Sequence, residues 1–319
     1  MSGRHPLLDE ALALAGAGRV AEGMVLLERA ASAGDPQAIF WLGEVHWVGG
    51  ARPQDHSKGR GLFKRASDAG HPDGQICYTN LLANGVAGPR DWPSALSRLA
   101  QEAGWNPRRA KANILVEQMS LTEEGDPQNV PAGEVLSHTP RVTLFRGAFT
   151  PAECAFLTDH PDSHFRPARV EEGGSGERVD SVRTCDEVTI HPLIEDPAVH
   201  AINRRLAALS GTRVDQGEPL QLLRYKVGQQ FRPHVDAISG DNGRPFTMLL
   251  YLNDGYAGGE TLFVRTGLEV KGRTGDALLF SNLADDGSAD PLSAHAGMPV
   301  KEGIKFIASR WIRQRRVVP

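Results

Sequence analysis

Between residues 33 and 107 the chain repeats itself. Ala33-Gly34-Asp35-Pro36 returns 36 residues on as Ala69-Gly70-His71-Pro72, and Ala103-Gly104-Trp105-Asn106-Pro107 follows after 34 more with one residue inserted. Glycine turns precede Asp55 and Asp91, which are again 36 apart. Each unit closes with an Ala- or Leu-rich stretch, LLERAASAG, LFKRASDAG and LSRLAQEAG. Glycine ends a helix in the left-handed conformation, and a proline just beyond prevents its continuation. A helix pair of this size has one apolar face that only a neighbouring pair can bury, so the units must stack. The pattern predicts an α-helical solenoid over residues 1–118.

The pattern then changes. Residues 119–140 are rich in proline, glycine and charge and lack helical periodicity, and they are expected to form a linker. From 141 to 319 short strands are predicted at 141–145, 187–190, 220–227, 246–253, 260–264, 276–281 and 304–312. Helices are predicted at 151–160, with Thr150 as N-cap and Pro151 in the first turn, and at about 196–209. Many short strands parted by Gly, Asp and Asn turns suggest a sandwich or jelly roll with supporting helices. The expected fold class is therefore multidomain α plus β, and 319 residues suit two domains at roughly 150 each.

Charge and hydropathy exclude several classes. A net charge of −4 gives no global basic field to attract nucleic acid. No run of 18 apolar residues provides a membrane span. The apolar N-terminal run is interrupted by Asp9 and Glu10, and it reads as an amphipathic helix and not a signal peptide. Three cysteines, Cys77, Cys154 and Cys185, contain no CxxC pair. They argue against a disulfide framework or a thiolate metal site, and the cytoplasm is the expected compartment.

Chemistry concentrates in Tyr225-Lys-Val-Gly-Gln-Gln-Phe-Arg-Pro-His234-Val-Asp236. In extended backbone, residues i and i+2 share a face, so His234 and Asp236 project together. His295 is a third candidate. Two imidazoles and one carboxylate form the facial triad of non-haem Fe(II) oxygenases, which leaves open positions on the metal. A lone His-x-Asp is equally a loop with a local hydrogen bond. Lys305 lies ten residues after His295 on the last predicted strand, where it shares a face with Ile307 and Ser309. Turned inward, it needs an anionic partner such as the distal carboxylate of a keto acid; turned outward, it is solvated.

Two resemblances follow. The repeats over about residues 7–118 resemble Sel1-like repeats, relatives of the tetratricopeptide family. Such arrays bind proteins or peptides; alternatively, these units buttress the next domain. Residues 141–316 resemble the prolyl 4-hydroxylase-type Fe(II)/2-oxoglutarate dioxygenases. The ordered matches are Leu223-Arg224-Tyr225, Gly228-Gln229, His234-Val-Asp236, Tyr251-Leu-Asn253, Gly258-Gly259-Glu-Thr261-Leu-Phe263, Gly275-Asp276-Ala-Leu-Leu-Phe280, His295-Ala-Gly297 and Gly303-Ile-Lys305. The resemblance implies a double-stranded β-helix with His234, Asp236 and His295 on iron. It implies Lys305 against the 2-oxoglutarate 5-carboxylate, Tyr225 donating to the co-substrate and Thr261 lining the same pocket. Arg183, in Val182-Arg183-Thr184-Cys185, matches an RTS segment whose arginine faces substrate, with Cys185 in place of serine. Retention of Asp236 argues for hydroxylation over halogenation, and a lysine at 305 argues against the nucleic-acid demethylase branch.

The expected function is hydroxylation of a prolyl residue in a protein or peptide, using Fe(II), 2-oxoglutarate and O2 with ascorbate as reductant and releasing succinate and CO2. The repeats are expected to help recruit that substrate. Two alternatives are a hydroxylase of a free amino acid or small metabolite, and a repeat-based interaction scaffold with a vestigial oxygenase domain. The glycine-rich segment 171–177 lacks the ending of a phosphate loop; it is expected to be a lid, or else a plain surface loop. The basic tail Arg310–Arg316 is expected to be a solvated edge strand, with an RNA contact as the alternative.

Overall fold

A computed structural model describes residues 6–160, 164–171, 177–179, 182–238 and 240–317. Its chain divides into a helical unit, residues 1–116 with 192–200, and a strand-rich unit, residues 117–191 with 201–318. The helical unit contains α1 (Pro6–Gly16), α2 (Val20–Ser32), α3 (Pro36–Val48), α4 (His56–Asp68), α5 (Pro72–Asn84), α6 (Trp92–Glu102) and the start of α7 (Pro107–Gln118). The repeated punctuation sets these limits. Gly34 and Gly70 take φ of 90° and 82°, where a side chain would be strained. The recurring aspartates are N-caps: Asp35 accepts from the Ala38 amide at 2.8 Å, Asp55 from Lys58 at 2.9 Å and Asp91 from Ser94 at 3.1 Å. His71 stands where Asp35 stands one unit earlier, and its Nδ1 accepts from the Gly74 amide at 3.1 Å. Each such cap contributes about 1 kcal/mol.

Polar groups inside this unit satisfy one another. Arg109 and Glu102, both buried, pair at 2.6 Å. Thr79 donates to the other Glu102 oxygen, and Arg109 Nη1 donates to Asn80 Oδ1 at 2.8 Å. Asn80 and Asn84 in turn donate to the carbonyls of Leu193 and Pro192 at 2.8 and 2.9 Å. Residues 192–200, distant in sequence, thus belong to the helical unit.

The strand-rich unit runs β1 (Glu134–His138), β2 (Arg141–Phe145), α8 (Pro151–Thr158), β3 (Arg166–Pro167), β4 (Arg169–Glu171), β5 (Glu177–Val179) and β6 (Asp186–Ile190). Helix α9 (Pro197–Ser210) follows. Then come β7 (Leu220–Tyr225), β8 (Phe231–His234), β9 (Phe246–Tyr251), β10 (Ala257–Gly258), β11 (Thr261–Phe263) and β12 (Leu268–Val270). The last strands are β13 (Ala277–Ser281), β14 (His295–Gly297), β15 (Val300–Glu302) and β16 (Lys305–Ile312). An eight-stranded antiparallel sheet has the order β1-β2-β13-β9-β16-β7-β6-β3, and a four-stranded sheet the order β12-β11-β14-β8. One apolar cluster joins them, with Leu223, Tyr225, Tyr251, Leu278, Phe280 and Ile307 from the large sheet and Phe263 and Val270 from the small one. This is the jelly roll expected from the strand pattern.

Two local readings change. Residues 134–138, expected as linker, form β1, which pairs with β2 through Val135↔Thr143 and His138↔Arg141. Their half-exposed side chains show none of the apolar alternation that marks a strand. The first part of the tail is no solvated edge, because β16 lies between β9 and β7 and Arg310 is buried against the carbonyls of Asn203 and Val214, whereas residues 314–316, beyond the strand, are exposed. Of the expected lid, residues 172–176 lie outside the described residues.

Candidate metal and co-substrate site

The site lies between the two sheets. Residue His234 ends β8 and His295 opens β14, and antiparallel register puts them opposite each other. Asp236 follows β8 and is buried. One ligand atom from each lies within 4.8 Å of the others. The Asp236 oxygens are 3.5 Å from His234 Nε2 and 3.6 Å from His295 Nε2. In both imidazoles Nδ1 donates to a carbonyl, Arg232 at 2.8 Å and Ser293 at 2.9 Å. Each Nε2 lone pair therefore faces the carboxylate side of the cluster. Burial pushes His295 down to about 4, which keeps it neutral. Burial pushes the Asp236 carboxyl up, but His234, His295 and Thr247 together hold it below the usual carboxylate range. Two imidazole nitrogens beside one carboxylate oxygen donor fit Fe(II).

Sequence reasoning does not foresee the support behind Asp236. The Thr247 hydroxyl donates to its Oδ2 at 2.7 Å, and the Asn282 amide donates to Thr247 at 2.9 Å. The register pairs Thr247 with Phe280, and Asn282, two residues beyond Phe280, reaches back to the Thr247 hydroxyl.

A pocket with about 440 Å³ of open space includes the triad, Tyr225, Thr261 and Lys305 in its lining. Lys305 opens β16 and is only 4% exposed, so its face is not solvated. Its Nζ donates to the Gly259 carbonyl at 2.7 Å and lies 5.4 Å from the Tyr225 ring and 6.0 Å from the Tyr251 ring. Burial pushes its pKa down to about 8. No carboxylate among the described residues pairs with it within 4.0 Å. Thr261, also buried, shares a hydrogen bond of 3.2 Å with the Tyr251 hydroxyl.

Pairing places Tyr225 opposite Lys305 on β16 and, one residue beyond Asp186↔Arg224, beside Cys185. The buried Cys185 thiol contacts the Tyr225 hydroxyl and Arg183, so the residue that replaces serine still serves as a hydrogen-bonding link. Burial raises both the Cys185 and Tyr225 pKa values, so both stay protonated. Arg183 lines the same pocket. It donates to Gln221 at 3.0 Å, pairs with Glu187 at 3.4 Å, and lies 5.3 Å from the Phe231 ring and 5.9 Å from the Trp311 ring. All seven residues singled out in the sequence thus meet in one pocket. Trp311 is the neglected member, although the alternation that puts Lys305, Ile307 and Ser309 on one face carries on to it.

Along β16, Lys305 and Trp311 lie near opposite ends of the pocket's floor. One end carries the buried Lys305 cation beside Tyr225. At the other end the Arg183 guanidinium lies between the rings of Phe231 and Trp311.

The chain is similar to several known proteins. Residues 220–313 match the model of the 2OG-Fe(II) oxygenase superfamily. The chain is 33% identical over 204 residues to a probable prolyl 4-hydroxylase 3 of Arabidopsis thaliana, covering 56% of this chain and 71% of the relative. Among solved structures it is similar to the viral collagen prolyl hydroxylase of Paramecium Bursaria Chlorella virus-1, at 24% identity and TM-score 0.43, covering 54% of this chain and 95% of that one. It is also similar to a Sel1 repeat protein of Oxalobacter formigenes, at 23% identity and TM-score 0.32, covering 34% and 85%. With the triad, the buried lysine and the matching strands in order, the chain belongs to the prolyl 4-hydroxylase family of 2OG-Fe(II) oxygenases.

Proposed function

We propose that this dioxygenase hydroxylates a prolyl residue within a protein or peptide, with His234, Asp236 and His295 holding Fe(II). The observation that carries the reading is the convergence of the triad and the unneutralised Lys305 in one pocket. Iron bound there supplies O2 activation, coupled to decarboxylation of 2-oxoglutarate to succinate and CO2 and to oxygen insertion into a substrate C–H bond. The protein's residues do the rest. Lys305 pairs with the 5-carboxylate in a low-dielectric pocket, where a charge-assisted bond is strong. Tyr225, protonated, donates to the same co-substrate, and Thr261 adds a hydroxyl. Arg183, Phe231 and Trp311 hold the polypeptide and keep water out. The chain Asn282–Thr247–Asp236 fixes the carboxylate through its second oxygen. Ascorbate serves as reductant. An intact triad with its supporting hydrogen bonds argues against a vestigial oxygenase domain.

The proposal extends to the repeats as a recruiting surface and to a cytoplasmic location, which three free, buried thiols support. Because residues 192–200 belong to the helical unit, surface substitutions test recruitment better than deletion. Val48 and Trp105 are exposed apolar candidates. Replacing them with glutamate is expected to raise KM for a protein substrate but not for a short peptide; equal KM values favour a buttress. The prolyl assignment is tested by mass spectrometry of proline-containing peptides after turnover. A gain of one oxygen on proline supports it, and a gain on another residue with proline untouched refutes it.

A further inference from the structure

The two histidines of the triad are held differently. His295 is buried, with the rings of Phe280 and Phe263 at 4.6 and 5.9 Å. His234 is more open, and its side chain is 16% exposed. Beyond the Nδ1 bond to Arg232, its most intimate ring contact is Phe231, three residues earlier on the same strand. The two rings are stacked with centroids 3.5 Å apart and planes 16° from parallel. Phe231 is itself fixed: it bridges to Arg183 in the backbone, faces that residue's guanidinium at 5.3 Å and pairs with Gly297.

We propose that Phe231 is a positioning residue that sets the plane of the His234 imidazole and so tunes metal affinity. The inference rests on the reading of His234 as a metal ligand. The terminal torsion of histidine is broad, so one hydrogen bond at Nδ1 fixes a direction but leaves the ring free to rock about it. A parallel aromatic face removes that freedom. Two neutral rings disfavour close face-to-face stacking because their electron-rich faces repel. An imidazole that donates its lone pair to a divalent cation becomes electron-poor, and the same contact becomes attractive. The stack thus favours the metal-bound state of His234 over the free state. Outer partners of metal-bound histidines are typically worth about 10–100-fold in affinity.

The test is anaerobic titration of the full chain with Mn(II), a stand-in that needs no turnover, with free Mn(II) followed by electron paramagnetic resonance. Phe231→Leu removes the ring and Phe231→Tyr keeps it. The expected result is Mn(II) binding weakened about tenfold or more by Phe231→Leu, near wild type in Phe231→Tyr, with unchanged melting temperatures. If Phe231→Leu melts early, Phe231→Met is judged by the same criterion. Wild-type affinity in the ringless variant overturns the inference, as does equal loss in the tyrosine variant. If the wild-type chain binds no Mn(II), the metal-site reading falls along with it.

Discussion

In the helical unit the Arg109 guanidinium is buried against the Glu102 carboxylate at 2.6 Å, with Thr79 and Asn80 completing the set. In the strand-rich unit the Lys305 ammonium is equally buried, yet it faces a neutral carbonyl and two aromatic rings. The first arrangement is closed, because every charge already has a counter-charge. The second is left for a ligand to complete, since an uncompensated buried cation costs stability until an anion arrives. Between Arg109 and Lys305, which are about equally buried, the presence of a counter-charge is what differs.

Substitutions in each unit can break that contrast. The largest expected effect is at the triad: His234→Ala should abolish metal binding and lower succinate formation by at least about 10³-fold, because metal ions contribute several kcal/mol to such steps. Next, Arg109→Ala strands a buried carboxylate and should cost about 3–5 kcal/mol in urea unfolding. The double replacement Arg109→Met with Glu102→Leu should recover most of that loss, which an isolated functional charge would not allow.

Lys305→Met should do the reverse of Arg109→Ala. Lys305 has its folded pKa depressed to about 8, below the unfolded value, so it costs stability below pH 8 and ceases to cost above the unfolded pKa. Removing it should stabilise the ligand-free protein by on the order of 2 kcal/mol near neutral pH and raise KM for 2-oxoglutarate by about 50–100-fold. Thr247→Val removes the donor to Asp236 and should weaken Mn(II) binding by about tenfold. The smallest effect is with pH. KM for 2-oxoglutarate should climb as pH rises through 8 and the lysine loses its proton, whereas Lys305→Arg should flatten that rise.

How much of this is legible in the sequence follows from the range of each interaction. Repeat punctuation and the His-x-Asp pair are local, so spacing alone reveals them. The N-caps Asp35, Asp55 and Asp91 are visible as recurrences before their role is known. Lys305 and Tyr225 come into view through motif order, and strand alternation puts Lys305 on one face with Ile307 and Ser309 without saying whether that face is buried. Thr247 and Asn282 stay hidden because Thr247 reaches Asp236 from a separate strand, and Asn282 reaches Thr247 only through the pairing of β9 with β13. Residues 192–200 are hidden for a similar reason: Asn80 and Asn84 bind their carbonyls across more than a hundred residues, and no periodicity marks such a contact. Strands β8 and β14, which carry the histidines, are too short and polar to show alternation.

The most direct test of the central claim is the stoichiometry of succinate and hydroxyproline with a proline-containing peptide, Fe(II), 2-oxoglutarate and ascorbate. The expected result is one hydroxyl on proline for each succinate released in the presence of peptide, with both products absent in Asp236→Ala. Succinate that forms equally with or without any peptide, or that persists in Asp236→Ala, would contradict it.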